Sequence, residues 1–195
     1  MKKTLFYLTA VLAPLYTQAQ VKPLPASVQI TTAILAAPTD KRDGAKVYGY
    51  APDGSFTVLR NGTNDFVCIA DDPKKEDIGV SCYHSDLDVF MERGRVLAKE
   101  GKSQKEIFDI REKEVKAGTL KMPEQPSTLF VLSGKKDNYD SASGALKKSY
   151  LRYVIYIPFA TSESTGLPLK PDADGMPWIM DPGTHRAHIM INPAP

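Results

Sequence analysis

Cysteine is scarce in this chain of 195 residues, with Cys68 and Cys82 alone. Without a CxxC spacing or a second pair, a zinc ribbon and a thioredoxin-like redox centre have no ligands or thiols to use. Histidine occurs three times and never in a His-Glu-x-x-His arrangement, so the common zinc-hydrolase pattern is missing. There is no glycine-rich phosphate loop and no Gly-x-Ser-x-Gly elbow. Excess charge is also lacking: 25 basic residues face 23 acidic ones. Two of the basic residues, Lys2 and Lys3, belong to a leader, and the remainder is neutral. Nothing in that balance recruits nucleic acid or an anionic membrane. No apolar run after residue 20 is long enough to cross a bilayer, and no repeat of solenoid or propeller period is present.

What is present begins with an export address. Met1-Lys2-Lys3 is followed by an apolar stretch over 5–15 and a small-residue exit at Thr17-Gln18-Ala19, the order of a secretory signal peptide over 1–19. Thr9 and Pro14 interrupt the stretch, and Gln20 offers no thiol for lipidation. The expected location is therefore the periplasm or the exterior, where no reducing buffer opposes a disulfide between Cys68 and Cys82. Removing the leader leaves about 175 residues, enough for a single core. The expected division is a linker with a short helix over 20–44 and one globular domain over 45–195.

Val21-Lys22-Pro23-Leu24-Pro25 favours extended chain, and Ser27 is expected to cap a helix over 28–36. Two β-prone runs around Pro52-Asp53-Gly54 predict a hairpin over 45–60, and 65–70 predicts a third strand carrying Cys68. Ser85 is the expected cap of a helix over 86–100, ended by Gly101. Ser103-Gln104-Lys105-Glu106 is a capping box that opens a second helix to about Ala117, before Gly118. Strands return at 128–132, 150–159, 178–180 and 187–191, with exposed loops predicted over 133–149 and 160–177. This order predicts an α+β fold, a mainly antiparallel sheet with a two-helix hairpin packed on it and one disulfide.

Chemistry has few places to reside. His185 and His188 stand three apart, with His84, Asp86 or Asp88 as a further ligand, but in a loop entering a strand such a pair tends to face opposite sides. No metal and no cofactor is expected. Asp172-Ala173-Asp174-Gly175 resembles the start of a calcium loop, yet Pro177 occupies the position of its glycine. Ser133-Gly134-Lys135-Lys136 has a Ser-x-x-Lys spacing, but it enters a loop instead of opening a helix. On the strand at 150, alternation predicts Leu151, Tyr153, Ile155, Ile157 and Phe159 as core. Tyr150, Arg152, Val154 and Tyr156 then lie on the other face. Tyrosines around an arginine can stack a sugar or hold a carboxylate, and they equally serve as an aromatic ladder.

Four segments, in one order across about residues 44–191, carry a resemblance. Gly62-Thr63-Asn64-Asp65-Phe66-Val67-Cys68 resembles a Gly-Thr-Asn-x-Phe-x-Cys segment, and Gly101-Lys102-Ser103 with Glu106-Ile107 resembles Gly-Lys-Ser-x-x-Glu-Ile. Tyr156-Ile157-Pro158-Phe159 is similar to a Tyr-Ala-Pro-Tyr strand end, and Gly183-Thr184 with Ala187 to a closing Gly-Thr-Pro-His-Ala. The family so resembled consists of exported bacterial proteins, and it implies no activity. Its histidines fall at Arg152 and Arg186 here, and arginine is neither a general base nor a metal ligand. The resemblance thus favours an anion-binding role for these arginines. The expected function is a non-catalytic binding or structural protein of the envelope, with Tyr150, Arg152, Tyr156 and Arg186 facing a small molecule or an envelope protein. The alternatives are a hydrolase, with or without metal assistance, built around His84, His185 and His188, and an inhibitor or partner of an envelope enzyme.

Overall fold

A computed structural model describes residues 22–193, so the leader expected over 1–19 lies outside the described residues. Eight strands form one sheet: β1 Lys46–Tyr50, β2 Phe56–Arg60, β3 Phe66–Ile69, β4 Ile78–His84, β5 Ser127–Gly134, β8 Tyr150–Tyr156, β9 Trp178–Met180 and β10 His188–Ile191. Their spatial order is β2-β1-β3-β4-β5-β8-β10-β9, antiparallel except for the parallel pair β1 and β3. The fold is therefore α+β, as the alternation of segments predicts. Pro52-Asp53-Gly54 does turn β1 into β2, with Gly54 at φ 81° and Ala51 N–H donating to Ser55 O at 2.9 Å.

Among the described residues there are four α-helices. Helix α1 spans Ala26–Ala33 and tightens into a 3-10 turn over Ile34–Ala36. Its N-cap is Pro25 and no side chain caps it, so Ser27 does not have the expected role. The carbonyl of Pro25 instead receives the amides of Val28 and Gln29 at 3.0 and 3.1 Å. Ser85 likewise opens a 3-10 turn over Ser85–Leu87, and α2 follows over Asp88–Lys99. The cap there is His84, whose Nδ1 accepts from the Asp86 amide at 3.3 Å. Helix α3, Gln104–Lys116, opens on Ser103 with the expected capping box. The region 133–149 is more ordered than a loop: β5 runs to Gly134, and β6 Tyr139–Asp140 pairs with β7 Ala145–Leu146. Helix α4, Ser162–Thr165, interrupts 160–177 with its own capping box on Thr161.

Both faces of the sheet are covered, and this explains where the strand alternation misleads. On one face Ala33, Ala36 and Ala37 pack on Val47, Cys68, Val80, Cys82 and Leu132. On the other, Leu87 and Phe90 pack on Val67, Tyr83, Val154, Tyr156 and Met190. In β8 the buried residues are accordingly Val154 and Tyr156, while Leu151, Tyr153, Ile155 and Ile157 are half-buried and Phe159 is exposed. An alternating strand with cover on both sides has no solvent face to identify.

Cys68 and Cys82 are direct partners in the β3–β4 register, with Cα atoms 4.0 Å apart, and are joined in a disulfide. Both are fully buried, beside the Ala33 carbonyl. Gln29 fixes the N-terminal segment to the sheet. Its amide donates to Leu24 O at 2.6 Å and Tyr50 O at 2.8 Å, and accepts from the Tyr50 amide at 2.9 Å. It thus supplies β1 with the two backbone bonds a neighbouring strand would give. Gly49 makes this approach possible, since a Cβ there would lie 2.6 Å from Gln29 Oε1 and 2.4 Å from Leu59 Cδ1.

Candidate functional site

Helix α3 and the turn between β9 and β10 meet at one end of the sheet. Asp181 begins the turn at φ 50°, its carbonyl accepting from the Thr184 hydroxyl at 2.8 Å, and the chain then delivers His185 into the interior. The ring is completely buried between Phe90 and Phe108, at 5.6 and 4.9 Å between centroids. Glu112 Oε2 receives the His185 amide at 2.8 Å and also the ring Nδ1. Its other oxygen pairs with Lys116 at 2.6 Å, one helical turn on. Burial opposes ionisation of Glu112, but Lys116 and the two His185 donors outweigh it and hold the carboxyl down to about 2. Burial lowers the His185 pKa despite this carboxylate, which keeps the ring neutral. With Nδ1–H facing the carboxylate, Nε2 carries the free lone pair, and it is buried without a partner.

Cations surround this pair. Arg111 is 8 % exposed, lies 4.0 Å above the Phe90 ring and donates from Nη1 to Phe90 O at 3.3 Å. Burial pulls its pKa down to about 10, and its Nε has no partner. Gly94 leaves room for it, because a Cβ there would come within 3.0 Å of Nη1. Arg186 covers Phe108 at 5.0 Å and donates from Nε to Asp181 at 2.7 Å. His188 donates from Nδ1 to Arg186 O at 2.6 Å and lies against Tyr156, 5.5 Å between rings. Burial lowers the His188 pKa and raises that of Tyr156.

A second group of polar atoms lies further along the same face. Arg152 is two residues before Val154 on β8, so it shares the face of Val154 and Tyr156. The pairing Ile191 with Tyr153 places Asn192, the next residue, opposite Arg152. Trp178 pairs with Met190 and packs in the same core. Arg152 Nε, Trp178 Nε1 and Asn192 Oδ1 are all buried without a hydrogen-bond partner. Together with Arg111 Nε and His185 Nε2, they make up all the buried unpartnered side-chain atoms among the described residues. All five lie on the α2–α3 side of the sheet, in a seam along β8, β10 and β9.

The sequence-derived candidates are thus divided. Tyr156, Arg186, His185 and His188 come together. Tyr150 pairs with Ser133 at the other end of β8, about 20 Å from Tyr156 at the usual strand rise. Arg152 lies between them. His84 is on β4, three strands from β10 and so roughly 14 Å away. It faces Asp65 and Asp86 at 3.4 and 3.3 Å. Asp88 is engaged by the Tyr83 hydroxyl at 2.8 Å and by Arg95. Among the described residues no group of three His, Cys, Asp or Glu side chains is placed to hold a metal ion. Sequence reasoning missed Glu112, Arg111, Trp178 and Asn192. The available signal was Arg111 itself, a charge between Ile107 and Val115 at i, i+4 spacing on the apolar side of α3.

No family model, no curated protein and no solved structure matches the chain.

Proposed function

We propose that this chain is an exported, non-catalytic binding protein of the bacterial envelope, and that its ligand is held in the seam between the sheet and the α2–α3 hairpin. The observation that carries the reading is the placement of the five unpartnered atoms. A buried polar group without a partner costs about 1–3 kcal/mol, so folded proteins rarely gather several on one side without a use. Arg152, Trp178 and Asn192 offer two donors, one acceptor and a positive charge on adjoining positions of three strands. That set suits a carboxylate or amide lying along the strand. The leader and the disulfide support export, and the Arg152 and Arg186 positions fit an anion-binding use.

Trp178 is the chain's single tryptophan, so its emission reports the seam directly. Protein isolated from the periplasm should differ in Trp178 emission from the same protein unfolded, desalted and refolded with its far-ultraviolet spectrum restored. Identical emission would refute occupancy of the seam.

A hydrolase is the second reading, and the Glu112–His185 pair favours it, since a carboxylate on Nδ1 leaves Nε2 as a base. Against it, His185 is shut off from solvent between two phenylalanines. Hydrolysis of a chromogenic ester by the wild type but not by Glu112→Gln would replace the binding reading. A role as partner of an envelope enzyme draws on Phe56 and Val58, exposed on edge strand β2.

A further inference from the structure

The molecule has a real cavity on the side opposite the seam, of about 150 Å³, between the segment that precedes α1, α1 itself, the β3–β4 loop and the loop after β5. It is smaller than a drug-sized site. Lys22, Lys75 and Lys136 line it, and none of these ammonium groups forms an ion pair or hydrogen bond among the described residues. The neighbouring Lys135 contrasts with them, being paired to Asp77 at 2.6 Å. One carboxylate, Asp71, shares the lining and already accepts the Gly79 amide at 2.7 Å. Within the lining, three positive groups and one negative leave an excess of two positive charges around a small space open to solvent on the side of the exposed lysines.

The remaining lining is fixed and mostly apolar. Leu24 is tied by Gln29, and Ile78, 5 % exposed, lies on the sheet side. Tyr139 is held at its hydroxyl by Thr32 at 2.8 Å, and Thr32 is in turn anchored to the Gly144 carbonyl at 3.1 Å. The Tyr139 side of the wall is therefore preorganised, while the rim lysines, of which Lys75 and Lys136 act on Asp71 only at a distance, have no contact partner. An occupant must neutralise two positive charges, present an aliphatic middle to Leu24 and Ile78, and remain short. The geometry points to a short aliphatic dicarboxylate as the ligand of this cavity. Inorganic phosphate matches the charge but would leave the apolar wall unused, and a monocarboxylate matches the wall but leaves one charge unmet. The inference shares with the proposal above only the idea of binding, because its site lies on the other face of the sheet.

Calorimetric titration with succinate and glutarate, beside butanoate and phosphate, tests it. The dicarboxylates should bind at least tenfold tighter than butanoate or phosphate, and more weakly at raised salt. Lys75→Gln with Lys136→Gln should weaken glutarate binding tenfold or more with an unchanged melting temperature. Lys105→Gln, an exposed site on α3, should leave it unaltered. Absence of dicarboxylate binding, equal affinity for butanoate, or undiminished binding by the double variant would each overturn the assignment. Dicarboxylate binding that instead shifts Trp178 emission and is lost in Arg152→Leu would assign the ligand to the seam and refute the cavity. A silent Trp178 with binding lost in the lysine variant supports the cavity whatever the seam holds.

Discussion

Acid should weaken this fold in two separable stages, and the histidine end of the sheet sets both. His185 and His188 are held neutral by burial, with pKa values below the ordinary 6.5, while the unfolded chain titrates them normally. Below about pH 6.5 the unfolded state therefore binds more protons than the folded one, and stability falls as pH falls. Each histidine contributes a slope of at most about 1.4 kcal/mol per pH unit until its own lowered value is reached, so the pair gives at most about 2.7. Glu112 follows the same linkage in a lower pH window, because its folded pKa is also depressed. Its carboxyl is held down to about 2, so the stability it supplies is present above about 4.5 and lost as pH falls towards 2. Allowing for its partly open side, that contribution is on the order of 2–3 kcal/mol. Urea unfolding at pH 8, 7, 6, 5 and 4 reads both stages. His188→Gln should flatten the first stage by about half, and Glu112→Gln should lose about 2–3 kcal/mol at pH 7 with a shallower decline below pH 4.5. A wild-type urea midpoint that does not fall between pH 7 and 5 would show that the two rings take up protons in the fold as readily as in the unfolded chain, and would refute the neutral His185 on which the site's chemistry is argued.

Three further outcomes follow from single contacts. Replacing Cys68 and Cys82 by serine removes a crosslink that closes a 14-residue separation, and should cost about 3 kcal/mol in urea unfolding. Gln29→Leu strips both Tyr50 backbone groups and the Leu24 carbonyl of their partner, and should lower stability by about 2–4 kcal/mol in the same assay. Arg152→Leu removes an unpartnered buried Nε, so the melting temperature should hold or rise while the difference in Trp178 emission disappears.

Local chemistry was legible in the sequence and long-range placement was not. The Pro52-Asp53-Gly54 turn, the Ser103–Glu106 box and the stops at Gly101 and Gly118 are each decided within a few residues, and the structure has them all. The serine caps at Ser27 and Ser85 failed because a proline and a histidine one or two positions earlier already satisfied the first turn. The core face of β8 was misjudged because cover on both sides of the sheet erases the contrast that alternation relies on. His185, His188, Arg186 and Tyr156 could be nominated as rare or aromatic residues near the C-terminal strands. Glu112 could not, since its partner is 73 positions away and only the packing of α3 against the β9–β10 turn brings them together. Arg152, Asn192 and Trp178 become a group through strand register alone, which no local pattern encodes.

The most direct test of the binding account is the native mass spectrum of the protein exported into a bacterial periplasm, recorded before and after denaturation. The account predicts a chain lacking residues 1–19 and two hydrogens lighter than its reduced form, with an organic mass that denaturation releases and that Arg152→Leu fails to retain. A bare chain, an adduct retained by Arg152→Leu, or a stoichiometric metal ion in place of the organic mass would contradict it.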